Sequence, residues 1–266
     1  MELASTIKIT RYREGKWSHD EDLVIKEVPV TIYANGHELV TTLASPSHLE
    51  DLALGYLKAE GLLDNLDQLE AVKVDPGGNW VKVNLKGEIH QKLKDRSQRI
   101  LTSGCGRGSV FYRSLYEFET GEANSSNIVF SEKVVGDLVS QFHKNSHLFR
   151  QTGGVHGAAL ADEKGIIFFR EDIGRHNAVD KVIGRCILDG VDCRDKILII
   201  SGRISSEIVL KAARIGVPLL ISPSAPTDLA VKAARLLRLT LVGFARGKRF
   251  NVYAGEMRLP IKMSQD

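Results

Sequence analysis

Over residues 28–85, outside one helical stretch, apolar and polar positions alternate in short runs, the period of half-buried strands. In VPVTIYANGHELV the alternation breaks at Asn35-Gly36 and then resumes. This predicts a hairpin, because both central residues of the favoured two-residue turn need positive φ. LEAVKVDPGGNWVKVNL repeats the pattern, with its turn at residues 75–79. Between the two, SPSHLEDLALGYLKAEGLL changes period: Leu49, Leu52, Ala53, Tyr56 and Leu57 fall on one helical face. Ser47 and Glu50 have the spacing of a capping box, and Gly61 ends the pattern.

Residues 88–126 are polar, glycine-containing and weakly periodic, which predicts a long mobile connection with one helical stretch after Ser109. From about residue 127 the pattern becomes regular. A helix near 132–146 precedes a hairpin, GVHGAALAD and GIIFFRED, joined at Asp162 to Gly165, and a helix follows over about 175–188. Then come KILIIS, a helix through SSEIVLKAARIG with Gly216 at its end, VPLLIS, a helix opened by Pro226, TLVGF, and a last strand RFNVYAG. Short apolar strands alternating with helices require a sheet with a parallel part, covered on both faces. The fold class is therefore α/β, in two parts: a smaller α+β N-terminal domain over 1–120, ending in the mobile loop, and a larger α/β domain over 121–266.

Composition narrows the function. At 43% hydrophobic residues, 266 positions can bury a substantial core. Lys and Arg number 36 against 33 Asp and Glu, a net +3, too balanced for a nucleic-acid binder, so an anionic partner is met at a local site. The N-terminus lacks the apolar centre of a signal peptide and no run is long enough to span a membrane, which predicts a soluble, cytoplasmic chain with no membrane partner. The cysteines are Cys105, Cys186 and Cys193, without the spacing of a disulfide framework or a zinc site. Cys186 falls in the apolar pattern AVDKVIGRCIL as a buried structural thiol. Cys193, in DGVDCRDK, has no evident role. Cys105 differs, since Gly104 and Gly106 leave its sulfur uncovered.

Candidate chemistry gathers at the carboxyl ends of the expected parallel strands, where loops line the crevice and helix starts offer free N–H groups. SGRISSE, SPSAPTD and GFARGKRFN follow successive strands. Their hydroxyls, Ser205 and Ser222 among them, are suited to capping helices as well as to holding a ligand. Arg203, Arg246, Lys248 and Arg249 converge there, which suits a phosphate-bearing ligand; a solvated basic rim is the plain alternative. EDIGRHNAVDKVIG packs Glu171, Asp172, Arg175, His176, Asn177 and Asp180 around one helix start, and His156 lies on a strand edge among glycines. Each histidine is equally compatible with a packing role.

TGGVHGAAL, EDIGRHNAVDKVIG, SGRISSEIVLKAA, GVPLLISPSAPTDLAV and TLVGFARGKRFNVY, in that order, closely resemble the formate dehydrogenase accessory sulfurtransferase family, FdhD. NGHEL, LEDLALGYLKAEGLL and TSGCG extend the resemblance over nearly the whole chain. The resemblance implies a cytidine deaminase-like C-terminal domain, a mixed sheet with helices on both faces. It also implies sulfur transfer from a cysteine desulfurase to the molybdenum or tungsten bis(molybdopterin guanine dinucleotide) cofactor, which formate dehydrogenase needs in sulfurated form. That cofactor is a bound substrate, and no permanently bound metal is expected. Formate dehydrogenase and the desulfurase are the implied partners, and a homodimer the implied assembly.

Cys105 matches the family's loop cysteine and is the implied persulfide carrier. Many members have a second cysteine three places on, where this chain has Gly108. The guanine dinucleotide contacts carry over to Phe244, Ala245, Arg246, Gly247, Lys248 and Arg249. Where zinc deaminases carry His-x-Glu and Pro-Cys-x-x-Cys, this chain reads GRHNAVD and GRISSE, so deaminase chemistry is not expected. Arg107 and Arg113 would favour the thiolate of Cys105. The rival reading is a chaperone that binds the cofactor for formate dehydrogenase maturation without moving sulfur. An ordinary nucleotide enzyme finds no support, since neither a Walker motif nor Gly-x-Gly-x-x-Gly after a strand is present.

Overall fold

The computed structural model describes residues 2–87, 126–247 and 249–260. Cys105, Arg107, Gly108, Arg113, the helix expected after Ser109, and Lys248 lie outside the described residues.

The chain opens with a hairpin of β1 (Ala4–Arg13) and β2 (Lys16–Ile25), turning at Glu14-Gly15, both at positive φ. The alternation pattern does not reveal it because its strands present no continuous apolar face; Ile7, Tyr12 and Trp17 are exposed. The two expected hairpins follow as β3 (Val28–Ala34) with β4 (His37–Ala44), and β5 (Leu69–Val74) with β6 (Trp80–Leu85). They join in one sheet, order β4-β3-β6-β5, through parallel pairing of β3 with β6.

Helix α1 (Leu49–Ala59) closes that sheet with Leu49, Leu52, Ala53, Leu54 and Leu57 in its core. The expected capping box is not formed. The helix starts one residue late, with His48 at the N-cap in the left-handed region and no side-chain cap, while the Ser47 hydroxyl lies 3.5 Å from Lys181 Nζ.

The larger sheet has the order β12-β11-β10-β9-β7-β8. Its members are β7 (His156–Asp162), β8 (Gly165–Asp172), β9 (Ile197–Ile200), β10 (Leu219–Ile221), β11 (Thr240–Arg246) and β12 (Arg249–Ala254). Strands β9, β10 and β11 run parallel, as their short apolar sequences require, and β7, β8 and β12 pair antiparallel at the two sides. One face carries α2 (Glu132–Asn145), with Val135, Leu138 and Phe142 against Ala159, Ile197, Ile199 and Ile221. A short helix, α3 (His147–Thr152), follows it. The other face carries α4 (Arg175–Leu188), α5 (Ser206–Arg214) and α6 (Asp228–Leu236), packed on Ala158, Leu160, Leu198, Ile200 and Leu220. Successive strand residues point to opposite faces, which explains why Ile199 and Ile200 enter different cores. Pro226 does not open α6. Thr227 caps it by accepting from Ala230 N–H at 3.2 Å, and Pro226 bridges Ile204 outside the helix.

Helices α1 and α4 are stacked between the two sheets in backbone contact. A Cβ added at Gly55 would lie 1.8 Å from the Asp180 carbonyl oxygen, and one at Gly184 would lie 1.8 Å from that of Asp51. Glycine at both positions is what lets the helices meet. Three buried ion pairs surround the contact: Arg170 with Asp51 at 2.7 Å, Lys181 with Asp172 at 2.6 Å and Lys211 with Asp180 at 2.5 Å.

Candidate functional site

Because β7 runs against β9, its first residue lies at the carboxyl end of the parallel strands, and the last residue of β8 pairs with it. One edge of the sheet therefore collects His156, the end of β8, the starts of α4, α5 and α6, and the turns after β9, β10 and β11. This is the edge where open α/β sheets form ligand crevices.

The floor of the edge is made of serines that tie the turns together. Ser201 Oγ accepts from Gly157 N–H at 3.0 Å and lies 3.2 Å from His156 Nδ1. Burial, followed by the charges of Arg175 and His176, holds His156 below its ordinary pKa, which favours the neutral imidazole. Ser222 Oγ donates to the Gly202 carbonyl at 2.7 Å and accepts from Ser224 N–H at 3.0 Å. It is fully buried, so its expected place at the ligand surface is corrected: it braces the loops from below.

Above this floor, His176 Nε2 lies 3.0 Å from a Glu207 carboxylate oxygen and 3.4 Å from Ser205 Oγ. Ser205 stands at the N-cap of α5, yet its side chain makes no cap and faces the histidine. Arg175, the first residue of α4, packs beside His156 at Gly202, where an added Cβ would lie 3.2 Å from Arg175 Cδ.

Asp172 and Asn177 do not face the crevice. Asp172 is fully buried, with its carboxylate shared among Lys181, Ser45, Gly174 N–H and Asn177. Asn177 Nδ2 donates to Asp172 and, at 2.8 Å, to the Leu43 carbonyl. Their polarity serves the junction with the smaller sheet, which corrects their expected role in cofactor binding. The density of polar side chains in EDIGRHNAVDK thus has two sources, one for each side of the helix.

At the far end of the edge, Phe244, Arg246, Arg249 and Asn251 line an open cavity of about 340 Å3. Phe244 is exposed and holds φ at 51°, a left-handed conformation that a bulky residue adopts only under constraint. Its N–H donates to the Ser224 carbonyl at 3.1 Å, and Arg246 Nε donates to the Pro223 carbonyl at 3.2 Å. These bonds dock the β11–β12 turn on the loop after β10. Ala245 points the other way, into the core under α2, so it offers no side chain to a ligand. Gly247 and Arg203 are exposed on the same edge. Sequence reasoning does not single out Ser201, Glu207 and Asn251 as parts of the site; the first two lie inside SGRISSE, where only the position after the strand distinguishes them.

Cys186 and Cys193 are free thiols, both buried. Cys193 stands close enough to hydrogen-bond Cys186, and that contact together with burial pushes the Cys186 thiol far up. Among the described residues no group of His, Cys, Asp and Glu is placed to hold a metal, and no helix is long and apolar enough to cross a membrane.

Fold and edge together define a mixed α/β protein whose sheet edge carries arginines and histidines. The chain belongs to the FdhD/NarQ family, whose model matches residues 25–260. It is 41% identical over 251 residues to the sulfur carrier protein FdhD of Bacillus pumilus, covering 94% of this chain and 95% of that one. With the sulfur carrier protein FdhD of Listeria innocua it shares 41% over 261 residues, covering 97% and 100%. It is also similar to a crystal structure from Desulfotalea psychrophila described as a formate dehydrogenase accessory protein. The TM-score is 0.80 at 25% identity, over 97% of this chain and 100% of that one.

Proposed function

We propose that this protein is a sulfur carrier for formate dehydrogenase maturation. It receives sulfur from a cysteine desulfurase on Cys105 and delivers it to the bis(molybdopterin guanine dinucleotide) cofactor bound as substrate in the crevice. In the loading step the Cys105 thiolate attacks the outer sulfur of the donor's persulfide. The new S–S bond forms as the donor's breaks, and the donor cysteine leaves as a thiolate.

The observation that carries the reading is the sheet edge, with arginines at its rim and a neutral His156 in its floor. It suits an elongated anionic ligand. From β11 to β7 is three strand spacings, about 14 Å at about 4.8 Å each, the scale of a nucleotide. Relatives named as sulfur carriers over nearly the full length support the transfer role. The helix–hairpin–helix order followed by alternating strands also suits a cytidine deaminase-like origin for the larger unit. Free, buried Cys186 and Cys193 agree with a reducing cytoplasm.

The test is intact mass after incubation with a desulfurase and cysteine. The expected result is a gain of about 32 Da, one sulfur atom, lost on reduction and absent in Cys105→Ala. If Cys105→Ala still supports cofactor sulfuration, the chain acts as a cofactor-binding chaperone instead.

A further inference from the structure

Arg175 is a member of the crevice cluster whose chemistry the site itself does not answer. The residue is half-buried, and its Nε is sealed from solvent with no hydrogen-bond partner among the described residues. Its neighbours are two imidazoles, His156 and His176, and its charge, together with that of His176, is felt at His156. Of the two acids at these helix starts, Glu207 is engaged by His176 at 3.0 Å. The other, Asp172, is neutralised by Lys181 on the far side of the helix start. Arg175 forms no ion pair among the described residues.

A guanidinium held in such a place is costly, since burial without a counter-charge forfeits hydration and returns no hydrogen bond. The chain nevertheless makes room for it. Gly202 leaves open the space that a Cβ would take from Arg175 Cδ and His156 Nδ1. Beside it stands the imidazole of His156, and the Ser205 hydroxyl, 3.4 Å from His176 Nε2, belongs to the same helix-start cluster. The missing element is an anion with oxygens at more than one position, which a planar fork of N–H groups binds bidentately.

We propose that Arg175, with His156 and Ser205, forms a binding site for a phosphate-type oxyanion, distinct from the arginine rim at Phe244–Arg249. It deepens the function proposed above by placing a phosphate of the bound substrate at the His156 end of the crevice, and rests on that reading only for the identity of the carrier molecule. A nucleotide phosphate and free inorganic phosphate share this chemistry, and the experiment separates them.

Inorganic pyrophosphate, GDP and guanosine are titrated calorimetrically into the wild type, Arg175→Gln and Arg175→Lys. Pyrophosphate and GDP are expected to weaken about tenfold or more in Arg175→Gln. The loss in Arg175→Lys is smaller, because charge remains while the fork is lost. Guanosine is unaffected. GDP binding that depends on Arg175 while pyrophosphate fails to bind the wild type assigns the source to a nucleotide; equal losses assign it to the phosphate alone.

Thermal unfolding supplies a readout that a structural arginine would not give. Without ligand, Arg175→Gln melts at or above the wild-type temperature, and pyrophosphate raises the wild-type value but not the variant's. Pyrophosphate and GDP affinities unchanged in Arg175→Gln would overturn the inference. Should that variant not fold, unchanged affinities in Arg175→Lys overturn it equally. Sulfur loading of Cys105 is read separately by mass and is expected intact in both variants, so loss of the carrier function and loss of this site appear in different measurements.

Discussion

Helix α4 borders two polar regions that handle charge in opposite ways. On the side facing α1, every charged group is matched: Asp172 with Lys181, Asp180 with Lys211 and, across the junction, Asp51 with Arg170. Lys181 further donates to the Ser45 carbonyl and hydroxyl, and Ser45 to Asp172. At the start of the same helix, Arg175 has no ion pair among the described residues and Arg246 holds only a carbonyl. The first region is complete as it stands; the second leaves cationic groups without counter-charges among the described residues, which suits the ligand proposed above. Saturated buried polarity marks architecture, and unsaturated polarity on a rigid edge marks binding.

The largest expected effect lies in the matched region. Gly184→Ala or Gly55→Ala puts a methyl group where a backbone carbonyl of the facing helix already stands, 1.8 Å away in each case. Neither helix can yield without moving its sheet. Each variant is expected to lose about 3 kcal/mol or more, or to fail to fold, measured by denaturant unfolding. A loss below about 1 kcal/mol would show that the helices are free to part, and that the junction is no rigid base for the crevice.

Next in size is Lys181→Met. It leaves the fully buried Asp172 carboxylate without its cation, at a cost of about 3–5 kcal/mol. Burial holds Lys181 below the ordinary lysine pKa, with Asp172 opposing, so the pair survives by mutual compensation. The double variant Asp172→Leu, Lys181→Met is expected to recover much of that loss. Equal destabilisation by the single and double changes would mean that hydrogen bonds to Ser45 and Asn177, and not charge, hold the junction.

The same contrast explains what is readable in the sequence. Hairpins with Asn35-Gly36 and Asp162–Gly165, the apolar strands β9 to β11, and helices α2, α4 and α5 all follow from local periodicity and turn chemistry, which act within a few residues. The start of α1 does not follow. Ser47 is turned toward Lys181, 134 residues away in sequence, and a long-range contact overrides a local capping preference. The β1–β2 hairpin escapes such reasoning because it buries no face against a core.

For the site, position is legible and orientation is not. His176, Ser205 and Arg203 stand out in the sequence because they follow parallel strands or start helices there, and His156 because it lies on a strand edge among glycines; the structure places all four along the edge. Asp172, Asn177 and Ser222 satisfy the same criterion but point down, into the junction or the floor. Whether a residue at a helix start faces up or down depends on the helix's rotation against the neighbouring layer. In this fold α4 meets the neighbouring layer at the Gly55–Gly184 contact, and Gly55 lies well outside the motif itself.

The smallest effect concerns pH, and it touches both regions. His156 in the crevice and His48 at the start of α1 both have pKa values below 6.5 in the folded chain. Burial is the main cause for each. Arg175 and His176 add to it at His156, with Asp172 opposing; Arg170 adds to it at His48, with Asp51 opposing. Unfolding returns both to the ordinary value of 6.5, so just below that pH the unfolded chain binds more protons than the folded one. Stability is therefore full above 6.5 and is lost as pH falls through the lowered folded values. A thermal-unfolding series from about pH 8 to about pH 5 should show a falling melting temperature on the acid side. His156→Gln and His48→Gln should each flatten part of that slope, the glutamine keeping a polar group without a titrating one. An oxyanion seated beside Arg175 would favour protonation of His156, so saturating pyrophosphate should shrink the His156 contribution and leave that of His48 unchanged. A His48 contribution that moved as well would mean the ligand's influence reaches through α4 into the junction, and the two regions would no longer count as electrostatically separate.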